Sequence, residues 1–98
     1  MNLYVILRRN AWASPADLEQ AAARSTRVGE EQSDDIRWIR SYVLDEAAGG
    51  LGTVCIYEAT SPGAIRAHAA AADLAVDEIV PVADTVIVRP DPVAVAGS

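Results

Sequence analysis

The side chains best suited to chemistry in this chain lie between positions 36 and 68, a stretch that holds its only histidine and its only cysteine. His68 has an imidazole whose ordinary pKa, about 6.5, lies near neutrality, and imidazole serves both as a metal ligand and as a general base. A neighbouring carboxylate could share a metal ion with it or hold the ring in one orientation. Glu58 is the candidate, because a strand ending near Glu58 and a helix carrying His68 can meet at one end of a sheet. The pair predicts a site for a divalent metal such as nickel; a buried histidine bonded to a backbone carbonyl is the simpler alternative.

A second set of side chains combines aromatic rings with an arginine. Its members are Trp38, Arg40, Tyr42, Cys55 and Tyr57. Polar-tipped aromatic residues together with arginine are typical of ligand cavities and of subunit interfaces. Arg40, on a mostly apolar sheet face, needs an anion, either a partner carboxylate or a bound ligand. We therefore predict a ligand site here, with Cys55 as a small buried side chain rather than a nucleophile.

The elements that carry these residues begin with three runs rich in β-branched and aromatic residues. Residues 36–44 and 53–58 are predicted strands, and the glycines at 49–52 indicate a β-hairpin with a loose loop between them. The apolar run at residues 3–8 predicts an earlier strand. The hairpin therefore has at least one further strand with which it can pair.

Serine followed by proline opens both predicted helices. Ser14-Pro15 begins a helix that runs to about residue 31, and Ser61-Pro62 begins one that runs to about residue 72, since serine caps free amides and proline suits the first turn. Residues 79–88 predict a last strand. Pro81 belongs at a sheet edge or at the start of that strand, because it cannot donate a ladder hydrogen bond.

The resulting order, β-α-β-β-α-β, predicts a ferredoxin-like α+β fold: a four-stranded antiparallel sheet with both helices on one face. If Val54 and Ile56 pack beneath the helices, strand alternation sends Cys55 and Tyr57 to the bare face. By the same argument the bare face carries Tyr4, Arg8, Trp38, Arg40, Tyr42, Cys55 and Tyr57. We expect a second copy of the chain to cover this face, so that the ligand site lies within a homodimer interface.

Composition limits the partners of this domain. The net charge of −6 argues against nucleic acid, which needs a basic face. No apolar run approaches the roughly 20 residues of a membrane helix, and the first residues lack the pattern of a secretion signal. We therefore expect a cytoplasmic protein with one domain at residues 1–89 and a flexible tail at residues 90–98.

Three short blocks of the sequence carry a family resemblance. Trp38-Ile39-x-Ser41-Tyr42-Val43, Cys55-Ile56-Tyr57-Glu58-Ala59 and Ile65-Arg66-x-His68-Ala69 together resemble a family of small, mostly bacterial ferredoxin-like proteins. That family is often described as nickel-binding and otherwise as a domain of unknown function. The resemblance implies a homodimer with four strands and two helices, and affinity for metal in some members.

The expected function is therefore binding of a metal ion or small ligand by a small dimeric protein. The alternative is a dimeric α+β barrel enzyme, of the cyclase, isomerase or monooxygenase kind, acting on a small aromatic or polyketide-like substrate. Its catalytic candidates would be His68, Arg40, Tyr42 and Tyr57. A second alternative is an assembly module that performs no catalysis.

Overall fold

The computed structural model describes residues 1–47 and 49–92. Its elements, in chain order, are β1 (Asn2–Trp12), α1 (Pro15–Glu31), β2 (Ile36–Asp45), β3 (Leu51–Ala59), α2 (Pro62–Ala71) and β4 (Glu78–Pro81). The strands form one sheet in the order β2-β3-β1-β4, and every neighbouring pair is antiparallel. Both helices lie on one side of this sheet, because Tyr57 of β3 contacts Ser25 of α1 and His68 of α2. The predicted ferredoxin-like fold is confirmed.

Both helices begin at the predicted serine caps. The Ser14 hydroxyl accepts a hydrogen bond from the amide of Asp17 at 3.3 Å, and the Ser61 hydroxyl accepts one from the amide of Ala64 at 3.1 Å. Proline follows each cap, where its missing amide proton costs nothing. The two helices therefore start at fixed positions relative to the strands that precede them.

The side of the sheet beneath the helices is the opposite of the one predicted for β1 and β3. Tyr4, Ile6 and Arg8 of β1 are buried there, together with Cys55 and Tyr57 of β3. The prediction was wrong because both faces of these strands are apolar, so alternation alone cannot distinguish them. What decides is the helices, which meet the sheet with small buried residues such as Ala21 and Ala69, and with larger ones such as Ile65. Small helix residues leave room for the large rings that rise from the sheet.

A bulge in β2 separates Trp38 from Arg40 and Tyr42, the three residues of this strand that were predicted to share the bare face. Trp38 lies opposite Tyr57, whereas Arg40 lies opposite Ile56, so Ile39 is an extra residue between them. Trp38 therefore shares the helix-covered face with Tyr57. Arg40 and Tyr42 point to the open face, so the prediction that all three share one face was wrong.

The last strand is shorter than predicted. β4 ends at Pro81 rather than at residue 88, and it lies at the sheet edge, where proline is tolerated. The following residues cross the open face, because Asp91 contacts Arg40 and Tyr42. Of the predicted flexible tail at 90–98, residues 90–92 belong to this crossing segment, and residues 93–98 lie outside the described residues.

Within the described part of the chain, no helix combines the length and the apolar character required to span a bilayer.

Candidate functional site

A cavity of about 430 Å³ lies between α1 and the helix-covered face of the sheet. Its walls are mainly apolar, and its polar groups come from the sheet and from Ser25 of α1. The apolar lining residues are Trp12, Leu18, Ala21, Ala22, Trp38, Ile39, Val43 and Leu74. The polar ones are Arg8, Ser25, Arg40, Ser41, Thr53, Cys55 and Tyr57. An apolar cleft with a few convergent polar groups is the usual form of a small-molecule site.

Arg8 is the most unusual residue of this cavity. It is only 1% exposed. Its Nη1 donates to the sulfur of Cys55 at 3.2 Å, while Nε and Nη2 have no hydrogen-bond acceptor among the described residues. A guanidinium remains charged in proteins, and burying such a charge without a counter-ion is costly. Arg8 was predicted to lie on the bare face of the sheet, but it was not predicted as a site residue.

Cys55 connects the cavity floor to β2. Its sulfur accepts from Arg8 and from the hydroxyl of Ser41 at 3.0 Å, and its thiol donates to Thr53 at 3.3 Å. The indole Nε1–H of Trp38 in turn donates to the Ser41 hydroxyl at 2.8 Å. These contacts fix the floor and hold one aromatic wall in place. Ser41 and Thr53 were not predicted as site residues, although Thr53 lies two positions before Cys55 on β3 and Ser41 lies opposite Cys55 on β2.

A buried hydrogen-bonded group lies behind the cavity. The hydroxyls of Ser25 and Tyr57 are 3.2 Å apart, and Nε2 of His68 lies 3.1 Å from the carbonyl oxygen of Ser25. Because a carbonyl only accepts, Nε2 carries the proton. The ring of Tyr57 also stacks on Trp38, with centroids 6.1 Å apart. Ser25, which helical spacing places on the inner stripe of α1 but which was not predicted as a site residue, therefore joins Tyr57 and His68 to α1.

Burial sets the protonation states in this group. It lowers the pKa of His68, against a smaller opposite effect of the Ser25 carbonyl. It also raises the pKa of Tyr57, against the hydrogen bond from Ser25. At neutral pH both side chains are therefore uncharged. His68 takes the role of the simpler alternative, a buried histidine bonded to a backbone carbonyl.

Arg40 and Tyr42 form a separate cluster on the open face. Arg40 Nη1 lies 2.7 Å from Oδ2 of Asp91, and the Tyr42 hydroxyl donates to the same oxygen at 2.7 Å. The hydrogen bond from Tyr42, and then the one from Arg40, lowers the pKa of Asp91. The anion that Arg40 was predicted to need is thus a carboxylate of its own chain. About half of each charged side chain is exposed, so this pair contributes little to stability.

The predicted metal pair is not brought together. Glu58 follows Tyr57 on β3 and so points to the open face, whereas His68 belongs to α2 and is buried on the helix-covered side of the sheet. Across residues 1–47 and 49–92, no group of three or more His, Cys, Asp and Glu side chains could hold a metal ion. The described residues of one copy therefore do not fit nickel.

Comparisons with known proteins place this chain in a family. A model of the family described as nickel responsive protein, SCO4226-like, matches residues 4–82. The chain belongs to the SCO4226-like family. Among solved structures it is similar to SCO4226 from Streptomyces coelicolor A3(2), with a TM-score of 0.67 and 20% identity over 86% of this chain and 99% of that chain. At that identity the likeness shows the fold alone. Comparison with curated proteins yields no match.

The neutral state of His68 predicts a pH dependence of stability. Its folded pKa is below the ordinary value of about 6.5, so as pH falls through that value the unfolded chain binds a proton that the folded chain does not. This contribution to stability is complete above about pH 6.5 and decreases as pH falls toward the folded pKa. We expect the urea midpoint of His68→Gln to change less with pH than that of wild type between about pH 7.5 and 5.5. Parallel profiles for wild type and variant would contradict the argument.

The isolation of His68 also predicts its behaviour toward nickel. Its Nε2 is engaged with Ser25 and no carboxylate or thiolate of the described residues completes a site around it. We expect calorimetric titration of Ni²⁺ into wild type and into His68→Gln to give the same heat. Binding that disappears in the variant would show that His68 is a ligand after all, in an arrangement that one copy does not contain.

Proposed function

We propose that this SCO4226-like protein is a small-ligand-binding protein whose ligand occupies the cavity between α1 and the sheet. The observation that carries the proposal is the cavity itself, about 430 Å³ with apolar walls and polar groups on its floor. Such volumes are typical of sites for small organic molecules, roughly 300–1,000 Å³. Of the predicted ligand-binding residues, Trp38, Cys55 and Tyr57 line it from the helix-covered face. Arg40 also borders it, but its guanidinium is paired with Asp91 on the open face, and Tyr42 does not line it.

The position of His68 favours binding over catalysis. An enzyme of the predicted alternative kind needs a proton carrier in contact with its substrate. Ser25 and Tyr57 line the cavity and lie between it and the His68 ring. Of the two most suitable groups, Tyr57 reaches the cavity but retains its proton, because burial raises its pKa, and His68 is not among the lining residues. The proposal is therefore a binding protein, with the barrel enzyme as the less favoured alternative.

In this proposal one copy of the chain binds a small molecule in its cavity and does not itself bind nickel at His68 and Glu58. The family description names a response to nickel, and a response does not require that this chain itself ligates the ion. The donor set around His68 does not form a metal site among the described residues. The proposal also places the protein in the cytoplasm, where the single thiol, Cys55, remains reduced.

We also propose that the protein is a homodimer. Val86, Ile87 and Val88, on the segment that crosses the open face, are 84%, 75% and 85% exposed, and Tyr42 of β2, on the same face, is exposed as well. Large apolar side chains exposed on one side of a domain often belong to an interaction site. A second copy would bury this segment together with the remaining open face of the sheet.

The cavity proposal predicts that filling the cavity abolishes binding. N-phenyl-1-naphthylamine is a neutral probe that fluoresces in apolar sites, and we expect wild type to bind it. Ala22 lines the cavity, whereas its neighbour Ala23 is exposed on the outer side of α1. Ala22→Phe should weaken probe binding by roughly tenfold or more because the ring occupies the space, while Ala23→Phe should not. Equal binding by the two variants would contradict the proposed location.

The dimer proposal predicts that a charged residue in place of Ile87 weakens dimerisation. Burying an isoleucine is worth about 1.5–3 kcal/mol, so Ile87→Asp should weaken dimerisation by roughly 10- to 100-fold in sedimentation equilibrium. Thr85→Asp places the same charge in the same segment and serves as the control. A wild-type protein that sediments as a monomer, or equal dimerisation of the two variants, would overturn the proposal.

A further inference from the structure

The guanidinium of Arg8 lacks a counter-ion inside the described chain. Among the described residues, ion pairs join Arg9 to Glu46 and Arg40 to Asp91, and neither of these carboxylates contacts Arg8. Its one hydrogen bond goes to the sulfur of Cys55, and the side chain is 1% exposed. Solvent therefore cannot compensate the charge in the way it does for a surface arginine.

The two donors without a partner lie on one edge of the guanidinium. Nη1 is engaged with Cys55, which leaves Nε and Nη2. These two N–H groups point in parallel and match the two oxygens of a carboxylate, so that a bidentate pair can form. Arg8 is among the residues that line the cavity, and these two N–H groups are buried beside it, so a carboxylate bound there would meet them after a small rotation of the guanidinium.

The remaining lining sets the character of the rest of the ligand. Trp12, Leu18, Trp38 and Val43 present apolar surface around the space above Arg8. The polar groups nearest to it, Ser41, Thr53 and Cys55, are already bonded to one another. A ligand with further charges would find no second buried cation on the floor, since the other lining arginine, Arg40, is exposed and paired with Asp91.

We propose that the cavity binds an apolar monocarboxylate, aromatic or aliphatic, whose carboxylate pairs bidentately with Nε and Nη2 of Arg8. This inference rests on the proposed function and adds the chemical class of the ligand. The acid group lies at the floor between β1 and β3, and the apolar body lies against Trp38 beneath α1. Binding supplies the counter-ion that the fold itself omits.

The test compares an acid with its neutral analogue. 2-Naphthoate and 2-naphthamide have nearly the same shape, and quenching of tryptophan fluorescence reports their binding because Trp12 and Trp38 line the cavity. We expect wild type to bind the acid at least roughly tenfold tighter than the amide, as a charge-assisted bidentate pair requires. Arg8→Met should abolish that preference, so that the acid and the amide bind with similar affinities.

Two further measurements separate a ligand role from a structural one. Arg8→Met should unfold at the same urea concentration as wild type or a higher one, because an unpaired buried charge is replaced by an apolar side chain. Arg8→Lys keeps the charge without the planar fork, so it should retain only part of the preference for the acid. If Arg8→Met does not fold, wild type and Arg8→Lys still decide the question.

The outcomes distinguish the two levels of the proposal. If wild type binds the amide as tightly as the acid, the ligand class is wrong and the proposed function stands. If wild type binds neither of them, and the neutral naphthylamine probe does not bind either, the proposed function itself fails. A preference for the acid that survives in Arg8→Met would place the carboxylate elsewhere and overturn the inference.

Discussion

The packing of Tyr57 beneath both helices is the contact on which the site depends. Its ring lies against Trp38 and His68, and its hydroxyl meets Ser25 of α1. Because the helices approach the sheet with alanines, this ring acts as the spacer that sets how far α1 stands from β3. Where the spacer ends, toward Val43 and the start of α1, the same gap remains unfilled. The cavity is thus a consequence of one large residue facing small ones, and not of a flexible loop.

The electrostatics of the chain make the charge on the cavity floor conspicuous. Acidic residues outnumber arginines, fourteen to eight, yet the described carboxylates that form ion pairs do so with Arg9 and Arg40. Glu46 even binds Arg9 through both oxygens, at 2.8 and 2.9 Å, which lowers its pKa to about 2. The buried guanidinium of Arg8 nevertheless has no carboxylate partner among the described residues.

The fold could be predicted from local sequence signals, because each of them indicates a single kind of structure. Serine caps before Pro15 and Pro62 define helix starts, and the order of strands and helices then leaves few topologies. The faces of β1 and β3 could not be derived in the same way, since Ile6 and Leu7 are equally apolar and only the tertiary fit to the alanines of α1 and α2 separates them. The candidate site inherited that error: Cys55 and Tyr57 were grouped with Arg40 and Tyr42, which lie on the other side. Arg8 continues the alternation of Tyr4 and Ile6 along β1. A charged residue on that otherwise apolar face was the one sequence signal that the face could bind a ligand as well as pack.

The extra residue in β2 has a consequence for how this site could change over generations. Ile39 reverses the alternation of the strand, so that Trp38 faces α1 while Arg40 faces away from it. Because Trp38 pairs with Tyr57 and Arg40 with Ile56 on either side of Ile39, loss of the Ile39 codon would restore regular pairing and leave both side chains on their present faces. Loss of a neighbouring codon could likewise be absorbed by Ile39, without the one-residue slip that would turn the remaining side chains of β2 to the other face. The helix-covered face of β2 is therefore protected against single-codon deletions beside the bulge.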